Sequence, residues 1–329
     1  MPGVEDLAGR HETGKGGALE RDITLDLVRV AEAAAIGAYD WIGRGKKNEA
    51  DGAAVEAMRR AFDTVPIAGT VVIGEGEMDE APMLYIGEKV GGGGPAMDIA
   101  VDPLEGTNLT AKGGPNALVV LALADAGHFL HAPDIYMDKI AVGAGLPEGV
   151  VDLDIAPGEN LRRLAEAKGC GTSDLVVTML DRERHADKVA ACREAGSRIV
   201  LLTDGDVAAA IAAAQPGSEI DLFMGSGGAP EGVISAAAIR CFGGQMQGRL
   251  LFEDEAQITR ARGMGLADPH RKYTVEEIAR GNVFFVATGV TSGSLLQGVR
   301  RTETSMVTYS MVTESRSGTI RYVETHHRL

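Results

Sequence analysis

An apolar run, Ala96-Met97-Asp98-Ile99-Ala100-Val101, breaks directly into Asp102-Pro103-Leu104-Glu105-Gly106-Thr107. The run reads as a buried strand over 96–101. The chain leaves that strand and at once presents two carboxylates, a rigid proline, a flexible glycine and a hydroxyl. Hard divalent cations take oxygen ligands, and Mg²⁺ binds through one or two carboxylates together with substrate phosphate. A glycine lets a bulky anion approach the backbone, and Thr107 is placed to position a water or a phosphoryl oxygen. The same residues also suit an ordinary turn, since Asp, Pro and Gly all favour one.

The pattern on either side of this segment alternates between strands and helices. Residues 22–42 recur apolar at helical spacing (Ile23, Leu27, Val30, Ala34) behind Asp22 as a cap. A second helix runs from Asp51 to about residue 60. Residues 69–74 form a short buried strand, and a helix signal resumes at Asp79-Glu80-Ala81-Pro82, with proline favoured in a first turn. Strands follow at 96–101 and 117–124. The run Gly91-Gly92-Gly93-Gly94 precedes a strand and reads as a hairpin or loop. Residues 143–160 look like a connection. Beyond it lie strand 175–179, helix 185–195 closed by Gly196, strand 199–202, helix 207–214 stopped by Pro216-Gly217, strand 220–224 and helix 230–241. This alternation argues for parallel βαβ units. A late strand at 283–286 could return to either half. The resulting division is a loose segment 1–20, a half over 21–155 carrying the acidic cluster, and a ligand-binding half over 156–329.

Acidic residues gather where strands end. Glu75 and Glu77 follow the strand that closes at Gly74, Asp79 comes two residues later, and Asp51 lies at a helix start. In open α/β sheets ligands collect at the carboxyl ends of strands. Bringing several carboxylates to one point is unfavourable unless cations neutralise them. Two divalent ions a few ångströms apart can clamp a phosphate ester, one activating water and the other stabilising the leaving oxygen. Taken singly, each acid has an ordinary structural explanation. Asp51 can cap its helix, Asp79 and Glu80 can offset a helix dipole, and Glu75 and Glu77 can be turn charges.

Three strand ends in the second half add groups suited to a sugar phosphate. Arg182-Glu183-Arg184-His185 opens a helix, where backbone N–H groups attract anions and Arg grips phosphate bidentately; an exposed basic turn would look the same. Asp204-Gly205-Asp206 can accept hydrogen bonds from sugar hydroxyls, or Asp206 can cap the next helix. The stretch 225–232, Gly-Ser-Gly-Gly-Ala-Pro-Glu-Gly, reads as a third strand-to-helix loop with Glu231 in the first helical turn. There Glu231 serves as a dipole partner, or as a metal ligand if the loop faces the first-half acids. The simplest arrangement holds a ligand between the two faces.

Composition narrows the alternatives. A formal net charge of -15 over 329 residues repels nucleic acid and anionic membranes. It also repels a phosphorylated metabolite, so such a substrate would need local cations. Three cysteines, Cys170, Cys192 and Cys241, match no zinc or redox spacing and suit a reducing cytoplasm. The N-terminus is not of signal-peptide type, and the apolar run 118–124 is too short to span a bilayer. No Gly-x-Ser-x-Gly elbow or Walker-type loop is present. The Ala-rich helices could pack between subunits or simply in the core.

Asp102-Pro103-Leu104-Glu105-Gly106-Thr107 resembles the signature of the lithium-sensitive, metal-dependent sugar and inositol phosphatases. Longer blocks are more specific. Residues 41–48 (Trp-Ile-Gly-Arg-Gly-Lys-Lys-Asn) with 51–55, residues 72–84 and residues 227–233 are similar to class II fructose-1,6-bisphosphatase, and the likeness runs from about Asp22 to Arg321. It implies the sugar-phosphatase fold, an α/β class layered α/β/α/β/α. It implies hydrolysis of the 1-phosphate of fructose 1,6-bisphosphate with Mg²⁺ or Mn²⁺, Mn²⁺ being favoured, in gluconeogenesis or carbon fixation. Matching positions make Asp51, Glu75, Asp102, Glu105 and Glu231 metal ligands and Asp79, Thr107 and Glu231 catalytic, Asp79 polarising the Thr107 hydroxyl or an attacking water. Substrate contacts fall on Glu105, Gly106, Thr107, Tyr136, Arg182, Glu183, Arg184, Asp204, Gly205, Asp206 and Gly228; the Tyr136 ring either flanks a sugar or packs ordinarily. The partners implied are a sugar bisphosphate and further copies of the chain, as a tetramer or dimer, in the cytoplasm. Alternatives are a dual enzyme that also takes sedoheptulose 1,7-bisphosphate, an inositol monophosphatase, which the Arg182 to Arg184 segment opposes because it argues for a second phosphate, and a non-catalytic phosphosugar-binding protein.

Overall fold

The computed structural model describes residues 23–76 and 83–329. Helix α1 spans Ile23–Tyr39 and buries Ile23, Leu27, Val30 and Ala34, the stripe expected from their spacing. Helix α2 spans Lys47–Phe62. It starts four residues before the expected Asp51, and its Lys46 cap makes no side-chain bond, so no capping residue marks the start. Asp51 therefore lies in the second turn and caps nothing. The expected helix signal at 79–82, with Glu77 and Asp79, lies outside the described residues.

Strands β1 (Ala68–Ile73), β2 (Lys89–Val90) and β3 (Ala96–Glu105) come next. Both β2 and β3 pair with β1. The four-glycine run thus carries the chain from one edge of β1 to the other and is a loop, not a hairpin. Helix α3 (Thr107–Lys112), β4 (Leu118–Asp125) and β5 (Tyr136–Val142) follow. Helix α4 (Pro157–Lys168) begins inside the stretch expected to be only a connection. Then β6 (Val176–Leu180), α5 (Ala186–Glu194), β7 (Arg198–Leu202), α6 (Asp206–Ala214), β8 (Leu222–Gly228) and α7 (Ala229–Phe242) alternate. The chain closes through β9 (Gln245–Leu251), α8 (Glu255–Gly263), β10 (Tyr273–Thr274), α9 (Val275–Ile278), β11 (Val283–Gly289), β12 (Arg300–Arg301), β13 (Ser305–Glu314) and β14 (Thr319–Arg328).

Two mixed sheets result. The first has the order β12-β13-β11-β4-β3-β1-β2, with β14 also on β13; the second has the order β10-β9-β5-β8-β6-β7. Among the described residues, parallel pairing is confined to β1 with β3, and to β6 with β7 and β8. The βαβ expectation is met from β6 to β8, while the remaining pairs are antiparallel. The chain enters the second sheet at β5, and the late strand β11 returns to the first.

Alternating side chains show how the layers stack. In β4, Val119, Leu121 and Leu123 pack into the same cluster as α1 and α2. Leu118, Val120, Ala122 and Ala124 point the other way, into a cluster shared with α6 and α7. In β5, Met137 and Ala141 join that middle cluster, whereas Ile140 and Val142 face a third cluster with Leu161 and Leu164 of α4 and Cys192 of α5. The order is helices, sheet, helices, sheet, helices, an α/β/α/β/α sandwich. Burial on both faces explains why β4 is an unbroken apolar run even though it is antiparallel to both neighbours.

Helix α7 lies between the sheets, with Ala236, Ala237 and Ala238 at 0% exposure. Core packing therefore accounts for its alanines. Short side chains there let two sheets approach one helix closely. Because that space is filled, Ala237→Leu is expected to destabilise the protein by roughly 1–3 kcal/mol, measured by denaturant unfolding. Unchanged stability would show that α7 is not clamped on both sides.

Candidate active site

The segment 102–107 does not behave as a turn. Strand β3 continues through it to Glu105. Against β4, Asp102 pairs with Val120 and Glu105 with Leu118, so three steps on β3 match two on β4. One extra residue is accommodated as a bulge, where a proline is tolerated. The consequence is chemical. In a regular strand, residues three apart face opposite sides; the bulge reverses that parity and turns both carboxylates the same way. Asp102 Oδ1 also accepts the Leu104 N–H at 2.9 Å, which fixes its rotamer.

The third acid arrives from the junction of β8, in the second sheet, with the helix between the sheets. Strand β8 runs on to Gly228, and α7 begins at once at Ala229, so the expected loop 225–232 is strand end and helix start. Glu231 lies in the first turn of α7, with its carboxylate folded back over Gly228. A Cβ on Gly228 would run into the Glu231 carboxylate, so a side chain at 228 would push that carboxylate out of its place. Carboxylate oxygens of Asp102, Glu105 and Glu231 all lie within 4.8 Å of one another. Asp51 from α2 and Glu75, just beyond β1, complete the walls of a cavity of about 450 Å³. Gly106, Thr107, Asn108, Asp134, Asp204 and Pro230 line it as well. The ends of the Glu75 loop are pinned, since the Glu75 N–H donates to Leu84 O at 2.9 Å and the Ile86 N–H to Gly76 O at 3.0 Å.

A neighbouring cavity of about 440 Å³ shares Asp134 and Glu231 with the first and adds Tyr136, Gly228, Leu251, Glu253 and Gln257. Arg184 sits over the Tyr136 ring at 4.8 Å. The ring is 47% exposed and carries a guanidinium, which is not ordinary core packing. Arg182 instead spans two strand ends, donating to Asp181 O at 3.0 Å and Thr203 O at 2.8 Å. Arg182, Glu183 and Arg184 line neither cavity; Arg184 reaches the second through Tyr136. Gly205, with Asp204, borders a third cavity between α6 and β7. Asp206 is buried and its carboxylate is taken by Lys139. Asp79 lies outside the described residues.

Electrostatics set this site apart from a surface patch of acids. Burial drives the Asp102 carboxyl well above the ordinary range, with Glu75 and Glu231 adding repulsion. Burial does the same to Glu105, reinforced by Asp102 and Asp206. Glu75 is pushed up to about 8 by burial and by the charges of Asp51 and Glu231. Glu231 is raised by burial and Asp206, against the pull of Lys139. Asp51 is raised by burial. Glu231 Oε2 is buried without a hydrogen-bond partner among the described residues. Converging oxygen donors, raised affinity for protons and an orphaned carboxylate oxygen fit a hard divalent cation in place of those protons.

Two supports were not singled out in the sequence. Lys139, fully buried on β5, pairs with Asp206 and donates to Gly228 O at 3.0 Å, which steadies the strand end beneath Glu231. The available signal was a lysine directly before the apolar Ile140-Ala141-Val142. The Val207 N–H at the start of α6 donates to Glu105 Oε1 at 3.1 Å and ties that helix to the end of β3 at the cluster.

A five-layer sandwich that collects acids at its strand ends around an open cavity has the design of a metal-assisted phosphatase. Comparison with known proteins specifies it further. The family model described as bacterial fructose-1,6-bisphosphatase, glpX-encoded, matches residues 21–327. The chain is 47% identical over 326 residues to fructose-1,6-bisphosphatase 1 class 2 of Escherichia coli K12, covering 94% of this chain and 96% of that protein. The class 2 fructose-1,6-bisphosphatases of Escherichia coli O6:H1 and Shigella flexneri match with the same identity and coverage. The chain belongs to the glpX-encoded family of bacterial fructose-1,6-bisphosphatases.

The acids generate a pH test. A group whose pKa is higher folded than unfolded contributes stability that is complete below its unfolded value and lost as pH rises through the folded one. For Glu75 that window runs from the ordinary glutamate value of 4.5 to about 8. Metal-free protein should therefore lose melting temperature between these limits, and Mg²⁺ or Mn²⁺ should restore more of it at pH 8 than at pH 5. Scanning calorimetry after chelation checks this; stability rising with pH in the absence of metal would contradict the assignment of Glu75 to the cluster.

Proposed function

We propose that this protein hydrolyses the 1-phosphate of fructose 1,6-bisphosphate, consuming water and releasing fructose 6-phosphate and inorganic phosphate. The observation that carries the reading is the meeting of Asp102, Glu105 and Glu231 from opposite halves of the fold. They stand in a cavity that joins another bordered by Tyr136 under Arg184. Asp51, Glu75, Asp102, Glu105 and Glu231 would hold Mg²⁺ or Mn²⁺, which supplies neutralising charge for the ester and lowers the pKa of water. Mn²⁺ is the proposed resident ion.

The remaining steps belong to side chains. Thr107 lines the acidic cavity and presents its hydroxyl to the reacting phosphate. Asp79, which lies outside the described residues, is the proposed partner that polarises the Thr107 hydroxyl or an attacking water. For net hydrolysis a water oxygen ends on phosphorus and the bond from phosphorus to the sugar O1 breaks, the sugar leaving with a proton. The sugar lies along Tyr136 and Gly228, with Asp204 and Gly205 receiving its hydroxyls. Arg184, over Tyr136, meets the distant phosphate, while Arg182 is engaged by the Asp181 and Thr203 carbonyls beside it. A monophosphate would leave this basic end unused, which favours a bisphosphate over an inositol monophosphate. Three unbridged cysteines suit a reducing cytoplasm. The outer edge of β14, which among the described residues pairs only with β13, offers a surface for the proposed homodimer or tetramer.

A substrate panel scored by kcat/KM with each metal tests the reading. Fructose 1,6-bisphosphate should exceed inositol 1-phosphate, and Glu231→Gln should lower kcat by about a hundredfold or more. Equal turnover of both substrates, or an active Glu231→Gln protein, would overturn it.

A further inference from the structure

His185 follows the Arg182-Glu183-Arg184 segment directly, yet it is buried at 1% exposure and lines neither cavity. Its hydrogen bonds define its state. Nδ1 lies 2.8 Å from the Leu180 carbonyl oxygen. A carbonyl only accepts, so Nδ1 carries the proton and Nε2 is left with a lone pair. The Ser226 N–H donates to Nε2 at 2.9 Å, and Ser226 Oγ stands 3.2 Å from the same atom. The ring rests on Gly225, where φ is +144° and a Cβ would come within 3.0 Å of it. A side chain at 225 would displace either the ring or the strand.

Ser226 in turn holds Arg184. Arg184 Nε donates to Ser226 Oγ at 3.0 Å and Nη2 to Ser226 O at 2.7 Å. The hydrogen bonds run in one direction, from Arg184 to Ser226 to His185 to Leu180. They fix the guanidinium plane over Tyr136 at the mouth of the second cavity. An exposed arginine would otherwise sample many rotamers, and ordering it on binding costs affinity.

We propose that His185 is a positioning residue that, through Ser226, preorganises Arg184 for the distant phosphate of a sugar bisphosphate and so sets selectivity for two phosphates over one. This rests on the reading that Arg184 meets that phosphate. The neutral ring is the working form. Burial lowers its pKa, and Arg184 and Lys188 lower it further against the opposing Leu180 carbonyl and Asp138. Lys188 and Asp138 are themselves paired at 2.6 Å.

The test compares His185→Asn, which keeps a donor for Leu180 but offers nothing at the Nε2 position, with His185→Gln, which can place an acceptor there. His185→Asn should raise KM for fructose 1,6-bisphosphate about tenfold with kcat within about twofold, since a charge-assisted bond is being misplaced and not a reacting group. His185→Gln should recover most of that loss. Ser226→Ala should raise KM in the same direction, and the double variant should do no more than the larger single effect. KM for fructose 1-phosphate should barely move. Unchanged KM in both His185→Asn and Ser226→Ala, a loss confined to kcat, or a glutamine as damaging as asparagine would overturn the inference. Ser226 is half-buried, so Ser226→Ala decides the matter if His185→Asn does not fold. Arg184→Met separates the two levels. If it leaves the bisphosphate KM unchanged, the reading of Arg184 fails; if it raises KM while the His185 and Ser226 variants do not, only the role of His185 fails.

Discussion

Mutual repulsion among desolvated carboxylates is the constraint around which this molecule is arranged. Asp51, Glu75, Asp102, Glu105 and Glu231 border one cavity, and burial raises the proton affinity of each. Isolated charges in such a place would cost several kcal/mol apiece. The fold has to hold them there against that cost. It does so with elements that have little freedom to retreat: a bulged central strand, a helix between two sheets, and the backbone N–H of Val207 on Glu105. Lys139 absorbs one further acid, Asp206, which would otherwise add to the crowding.

The five-layer architecture explains why this can be done with few aromatic residues. Both faces of the central strands are covered, so Val, Leu and Ala suffice where a one-sided sheet would need larger side chains. Helix α7 is the pivot. Its alanines let the sheets close on it, and its first turn carries Glu231 to the acids of the other sheet. Packing and chemistry are therefore set by the same helix, and a change that tilts α7 would move a carboxylate as well as a core.

Much of this was legible in the amino-acid order. Helix α7 was expected at 230–241 and spans Ala229–Phe242; β1, β4, β6 and β7 fall within a residue or two of their expected places. Local periodicity carries that information. The misplaced boundaries lie at the site. β3 and β8 run on through Asp102-Pro103-Leu104-Glu105 and Gly225-Ser226-Gly227-Gly228 because pairing with β4 and β5 outweighs local turn preference. The parity reversal that unites Asp102 with Glu105 depends on the register of a partner strand, which no local pattern reveals. The start of α2 was missed for want of a capping residue. Strands β13 and β14 escaped although 305–314 and 319–328 have strand-like stretches, and Lys139 and His185 were passed over because their roles arise from contacts across the fold.

The proposed chemistry requires a cation in place of protons among Asp102, Glu105 and Glu231. Crystals grown with Mn²⁺ and measured at its absorption edge test that most directly. An anomalous peak bounded by these three carboxylates, and lost in Glu231→Gln, is the result expected. A well-ordered cluster with no peak in it, or manganese bound only elsewhere on the protein, would contradict the central claim.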